Sequence, residues 1–391
     1  MWVGVVVRMV VGCGVLALWL GSAAGAAASG WKVQRTPNPV GARHSQLVGV
    51  SCASTRSCIA VGYSTTADGA FVALAERWDR GGWSIQSPPK PAGARTSVLS
   101  GISCVSRTAC TAVGYFTTRA GVAVTLAERW DGVNWSVQGT PNPSGAPYSY
   151  LVGVSCASRR SCTAVGSFGN TAGREVVLAE RLDGARWSIQ SVPSPAGATN
   201  SALKDVSCSS TSACTAVGDV LNPDAVDVTL AERWDGTAWT IQPSANSLFA
   251  TYSRLVGVSC PSISSCDAVG FFENGAGHFV TLAERWDGTS WTIQPTPNPN
   301  RARSSQLLAV VCSSANACTA IGSFANSGGA FVTLAERRKR PGWAIQRTAR
   351  PADAPNSGLD AVACPSPRFC TAVGYRIDRS DTVLTLAERY S

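Results

Sequence analysis

The chain has 391 residues, 45% hydrophobic and 15% charged, with a formal net charge of +9, 38 Gly, 15 Cys and 2 His. That apolar content excludes a disordered chain. Two histidines exclude a His-rich metal centre and argue against His-based acid–base catalysis, while fifteen cysteines fit an oxidising compartment.

Arg8 is the sole charge before Lys32. An apolar run, Met9 to Leu20, follows it, and then a small-residue tail, Gly21 to Ala28. Both Ala24-Gly25-Ala26 and Ala26-Ala27-Ala28 satisfy a small-x-small cleavage rule. The pattern predicts a secretory signal peptide over 1–28, cut within 24–30. An uncleaved anchor would need a longer run, and Arg8 interrupts this one. Val10-Val11-Gly12-Cys13 has the look of a lipidation signal, but Cys13 lies inside the apolar run rather than after it. Cleavage removes Cys13 and Arg8, leaving fourteen cysteines and a formal charge of +8. The expectation is a secreted, extracellular or cell-surface protein with no membrane span.

Residues 29–391 repeat a single unit. The cysteines fall into seven pairs, each 52 residues after the last: Cys52/Cys58, Cys104/Cys110, Cys156/Cys162, Cys208/Cys214, Cys260/Cys266, Cys312/Cys318 and Cys364/Cys370. Trp-x-Ile/Val-Gln follows the same period from Trp31 to Trp343, and Leu-Ala-Glu-Arg from Leu74 to Leu386. One unit reads as four short strands: A (Leu47 to Cys52), B (Cys58 to Tyr63), C (Phe71 to Trp78) and D (Trp83 to Gln86). They are rich in Val, Ile, Thr and aromatics and are separated by Gly, Pro, Ser and Asp. No segment after residue 28 has a sustained helical period. Four strands per unit, seven times, predict an all-β, single seven-bladed β-propeller with four antiparallel strands per blade. Pro-rich connectors such as Pro295 to Asn300 lead from D of one blade to A of the next. The chain stops after the seventh strand C, and Trp31 to Gln34 is a spare strand D. This segment is expected to pair beside Thr382 to Arg389 and close the ring, which removes a free sheet edge.

The Cys-x5-Cys pairs bracket short hairpin turns and are predicted to form seven disulfides, each worth about 2 kcal/mol. Metal binding would need His or more Cys per site, and redox pairs favour two intervening residues. A Ser two places after each first Cys, from Ser54 to Ser366, suits hydroxyl-to-backbone bonding in the turn. The C–D hairpin sets Trp286 opposite Trp291 as an aromatic clasp, broken by Leu182 and Arg338 and replaced by Tyr390 at the closure. Glu-Arg in every strand C, from Glu76-Arg77 to Glu388-Arg389, reads as an ion pair or network within or between blades.

The repeat resembles a group of secreted, actinobacterial-type repeat proteins carrying Leu-Ala-Glu-Arg-Trp-Asp-Gly-x-x-Trp-x-Ile-Gln-Pro-x-Pro-Asn-Pro, a pattern nearly whole over residues 282–298. The resemblance covers 31–391 and implies secretion and a propeller; it supplies no activity. A weaker likeness links the Asp-Gly before Trp to kelch and Asp-box propellers, although Asp287 precedes Trp291 by four positions. No sialidase arginine triad or Tyr/Glu nucleophile pair is found.

In such a blade the A–B and C–D turns share one face, and the B–C loops and D–A connectors share the other. Both faces carry positive charge. Arg56, Arg107, Arg159, Arg160 and Arg368 lie in A–B turns, and no face combines concentrated charge with aromatics as a nucleic-acid reader would. Departures from the repeat mark candidate sites. In blade 4, Lys204-Asp205 replaces the usual Val-Gly, and the B–C loop brings Asp219, Asn222, Asp224 and Asp227, which could hold a sugar or a cation but fit no calcium loop. Blade 7 adds Asp360, Arg376, Asp378 and Asp381. Blade 6 has Arg337-Arg-Lys-Arg340 where the clasp turn should be, read as a drifted, exposed turn or a local anionic contact. His44 and His278 fall in different blades. No catalytic residue, metal site or cofactor is assigned. The sequence favours a monomeric, non-catalytic binding protein for glycan, anionic cell-wall polymer or protein. The alternative is a carbohydrate-active hydrolase or lyase built on the blade 4 carboxylates.

Overall fold

The computed structural model describes residues 30–247, 250–339 and 342–391. The leader assigned to 1–28, Cys13 and Arg340 lie outside the described residues. The described residues form strands and connecting loops without a helix, and no helix among them is long and apolar enough to cross a membrane. A short strand β1 (Trp31–Gln34) comes first. Blade 1 follows as β2 (Ser45–Ser54), β3 (Ser57–Thr65), β4 (Phe71–Asp79) and β5 (Gly82–Gln86), in the order A, B, C, D. The pattern recurs to give seven antiparallel four-stranded sheets in a ring, a seven-bladed β-propeller. In blade 7 the sheet is completed by β1. Trp31 sits opposite Tyr390 and Gln34 opposite Ala387, with the two aromatic rings 5.7 Å apart. The predicted closure is what the chain adopts.

The hydrophobic core lies between blades. Ile59, Val61, Ala73 and Ala75 of blade 1 pack against Leu99, Leu126, Trp130 and Trp135 of blade 2, and the same arrangement recurs around the ring. The strand A leucines, such as Leu47, Leu99 and Leu151, are fully buried. Every strand A carries a bulge just after this leucine. The bulge drives the backbone toward strand B, and this explains Cys-x-Ala-Val-Gly: a Cβ on Gly62 would lie 1.9 Å from the Gln46 carbonyl oxygen. At the hub the strands A of neighbouring blades nearly touch, and a Cβ on Gly153 would sit 2.9 Å from Asp205 Cα.

All seven predicted disulfides are formed, each joining strands A and B across their turn: Cys52–Cys58, Cys104–Cys110, Cys156–Cys162, Cys208–Cys214, Cys260–Cys266, Cys312–Cys318 and Cys364–Cys370. Each bridge also reaches beyond its own hairpin. The second cysteine of every pair (Cys58, Cys110, Cys162, Cys214, Cys266, Cys318 and Cys370) is buried. In Cys-x-Ala-Val-Gly alternate residues share a face of the sheet, so this cysteine points with the Ala into the seam with the preceding blade. Its sulfur meets the strand B residue one repeat earlier, whose side chain points the opposite way. Cys162 lies 3.7 Å from the Thr111 hydroxyl, Cys214 3.6 Å from Thr163, Cys266 3.7 Å from Thr215 and Cys370 3.8 Å from Thr319. Cys58 lies 3.8 Å from Thr371 across the ring closure, and Cys110 packs with Ile59. The bridges are therefore part of the core between blades and are no candidate for a ligand site.

Ser54, Ser106, Ser158 and Ser210 accept a bond from a turn N–H, as expected. The Thr-Pro-Asn-Pro connector is also explained. Asn38, Asn142 and Asn298 accept the N–H of Thr385, Thr125 and Thr281, which clips each connector to strand C of its own blade.

The expected Glu–Arg ion pairs are absent among the described residues. Successive strand residues point to opposite faces of a sheet, so Glu76 faces the preceding blade and Arg77 the following one. Glu76, Glu128, Glu180, Glu232, Glu284, Glu336 and Glu388 are completely buried. Among the described residues only Glu284 and Glu388 accept a backbone N–H, from Ala245 and Ala349. The matching connector residue before the other five is proline, which has no N–H to give. Burial pushes these carboxyls up, to about 8 for Glu76 and about 7 for Glu284. The arginines instead stack on the next blade's clasp aromatic, Arg77 over Trp130, Arg181 over Trp234, Arg233 over Trp286, Arg337 over Tyr390 and Arg389 over Trp78.

Blade 6 corrects a further expectation. Arg338 is neither drifted nor exposed. It lies over its clasp partner Trp343 and forms a buried ion pair with Asp267 of blade 5. Asp267 also approaches the sulfurs of Cys312 and Cys318, but these are joined in a disulfide and have no thiolate to offer a metal.

Candidate functional site

Strand A of each blade lines a central channel. It begins at the face that carries the B–C loops and D–A connectors, where strand B ends. Six of the seven tyrosines gather at this end. Tyr148, Tyr150 and Tyr252 lie at the start of strand A, and Tyr63, Tyr115 and Tyr375 near the end of strand B. All six are half-buried. Tyr115 meets Tyr150 edge-on at 4.7 Å, and Tyr148 lies 5.3 Å from Tyr150. Tyr63 donates its hydroxyl to Gln46 at 2.9 Å, and Gln46 in turn donates to Asp360 at 2.8 Å. Burial, with Asp360 nearby, pushes the Tyr63 and Tyr375 phenols up, so both stay protonated at neutral pH. The Asp360 carboxyl is itself raised to about 6 by burial.

Blade 4 interrupts this arc. Asp219 holds the repeat position that is Tyr in blades 1, 2 and 7. Lys204 approaches it at 3.5 Å, and Arg254 of blade 5 bridges Asp219 at 3.5 Å and Asp227 at 3.4 Å. The same guanidinium lies 4.6 Å over the Tyr252 ring. Burial raises the Asp219 carboxyl even though both cations oppose the shift. Two acids and two bases thus neutralise one another at the rim. Asp219 and Asp227 share one guanidinium, so neither stands as a free acid facing a free base.

The structure brings together Lys204, Asp219 and Asp227, three of the six residues singled out in blade 4. Asp205 points to the hub instead, where it accepts the N–H of Val258 at 2.9 Å and ties blade 4 to blade 5; burial lifts its carboxyl to about 7. Asn222 is an ordinary turn residue. It accepts the N–H groups of Asp224 and Val226, as Asn170, Asn274 and Asn326 do in their own loops. Asp224 is exposed at the loop tip. In blade 7, Arg376 pairs with Asp353, and Asp378 caps its own loop. His44 and His278 are exposed in blades 1 and 5. The sequence reading missed the tyrosine arc and Arg254. The arc was detectable, because these residues occupy only three repeat positions, all at one end of strands A and B.

No family model matches the chain, and no curated protein matches it in sequence. Solved structures share the fold. An ulvan lyase, described as a new family of polysaccharide lyase, PL25, is 10% identical, with a TM-score of 0.54 over 89% of this chain and 95% of that one. A protein of unknown function from Dyadobacter fermentans is 9% identical, with a TM-score of 0.52 over 93% and 98%. AofleA from Arthrobotrys oligospora is 13% identical, with a TM-score of 0.43 over 82% and 86%.

Proposed function

We propose that the chain is a secreted, monomeric binding protein that takes a glycan or cell-envelope polysaccharide at the channel mouth, on the face of the B–C loops. The observation that carries this reading is the arc of six half-exposed tyrosines around the mouth. Aromatic faces stack on the apolar faces of sugar rings, and phenol, amide and carboxyl groups beside them fix orientation. Gln46 and Asp360 supply those polar groups. Seven disulfides suit an extracellular site of action.

One observation favours a second reading, a carbohydrate-active enzyme. Arg254 places a cation over the Tyr252 ring beside two carboxylates, a grouping able to hold an acidic sugar next to a proton-transferring phenol. The ulvan lyase with this fold is described as a polysaccharide lyase bound to -[GlcA(1-4)Rha3S]-. A panel of neutral and acidic polysaccharides separates the two readings. Binding without product, lost in Tyr115→Ala/Tyr150→Ala and retained when Asp219, Asp224 and Asp227 are changed to Ala, supports a binding protein. Appearance of cleaved or unsaturated product, abolished by Arg254→Ala, establishes the enzyme instead.

A further inference from the structure

Five of the seven strand C arginines stack on an aromatic ring of the following blade. Arg129 is an exception, because blade 3 has Leu182 where blades 1, 2, 4 and 5 have Trp. Among the described residues its guanidinium has no ring, hydrogen bond or ion pair. A groove of about 850 Å³ lies between blades 2 and 3, on the face opposite the tyrosine arc, lined by Arg129, Ser158, Arg159, Arg160, Gly184 and Ala185. Three arginines therefore line one cleft. The turn that carries two of them is fixed: Gly184 donates its N–H to the Arg160 carbonyl at 2.9 Å, and Arg160 donates its own N–H to the Ser158 hydroxyl at 3.2 Å. No carboxylate lines the cleft, and among the described residues neither Asp131 nor Asp183 forms an ion pair with its arginines.

We infer that this cleft is an anion site for a tetrahedral oxyanion, a phosphate or sulfate group carried on a polymer. Guanidinium forks match such groups with paired, charge-assisted hydrogen bonds, and the Ser158 hydroxyl can add another. The site is independent of the tyrosine arc and lets the molecule hold an anionic chain on one face while the other face takes sugar.

The test follows from the repeat. Leu182→Trp restores the residue that four blades already have, opposite Trp187, its register partner. It offers Arg129 the ring on which the equivalent arginines stack, and so draws it from the cleft without removing a charge. Binding of inorganic phosphate and sulfate is measured by calorimetry at low salt, then of a phosphodiester-linked polyol polymer and of a sulfated polysaccharide. The inference expects wild-type binding to weaken about tenfold or more in Leu182→Trp and in Arg129→Ala. Arg56→Ala, which removes the same charge from the same face in blade 1, should leave it unchanged. The tighter of the two polymers identifies the group. Wild-type affinity in Leu182→Trp and Arg129→Ala, an equal loss in Arg56→Ala, or no binding by the wild type would overturn it.

Discussion

Each Leu-Ala-Glu-Arg divides its side chains between two interfaces. Leu74, Glu76 and Trp78 face the preceding blade, and Ala75 and Arg77 the following one. The alternation was legible in the sequence, since adjacent strand residues cannot pair with each other. What was not legible is how the blades stack, which sets the arginine against an aromatic and leaves the glutamate in an apolar seam. The buried carboxyls make stability depend on pH. Their folded values, about 8 for Glu76, Glu128, Glu180, Glu232, Glu336 and Glu388, exceed the ordinary 4.5. Between these limits the folded chain binds more protons than the unfolded one, so stability falls as pH rises from 4.5 to about 8. Thermal unfolding followed across this window should show a falling midpoint, with a shallower slope in Glu76→Gln. A midpoint that rises toward pH 8 contradicts the burial of neutral carboxyls.

At the scale of the element, two departures from the repeat prove to be one. Asp267 in strand B of blade 5 and Arg338 in strand C of blade 6 replace a residue that is usually Thr and one that is usually Trp, and they meet in the seam between blades. Neither change predicts the other in a linear reading; only the packing of consecutive blades joins them. Breaking a buried pair from one side leaves an uncompensated charge, so Asp267→Thr alone should cost about 3–5 kcal/mol in denaturant unfolding. Asp267→Thr with Arg338→Trp restores the repeat, and should be neutral or stabilising by about 1–4 kcal/mol. A double variant as unstable as the single one would show that the pair is not compensatory. The closing strand was fully legible, because a surplus strand D at one end answers a missing one at the other. Trp31 is buried against Tyr390. Trp31→Ala should cost about 3–5 kcal/mol and expose the edge of blade 7 to proteolysis. An unchanged unfolding midpoint would count against closure by this strand.

The whole molecule is a ring whose repeats are spent on architecture, so function is sought where the copies differ. Sequence alone directed attention to acids in blade 4. Half of that choice dispersed on folding, because Asp205 serves the hub, Asn222 a turn that recurs in other blades, and Asp224 the solvent. The tyrosines, each unremarked in its own repeat, converge because strands A and B of every blade end at one rim. Affinity electrophoresis through gels containing neutral or acidic polysaccharide tests the central claim most directly, with Tyr115→Ala/Tyr150→Ala run beside the wild type after matching unfolding midpoints. We expect at least one polysaccharide to retard the wild type and the double variant to run free of it. Equal retardation of the two proteins, or no retardation by any polysaccharide, would contradict a sugar-binding mouth.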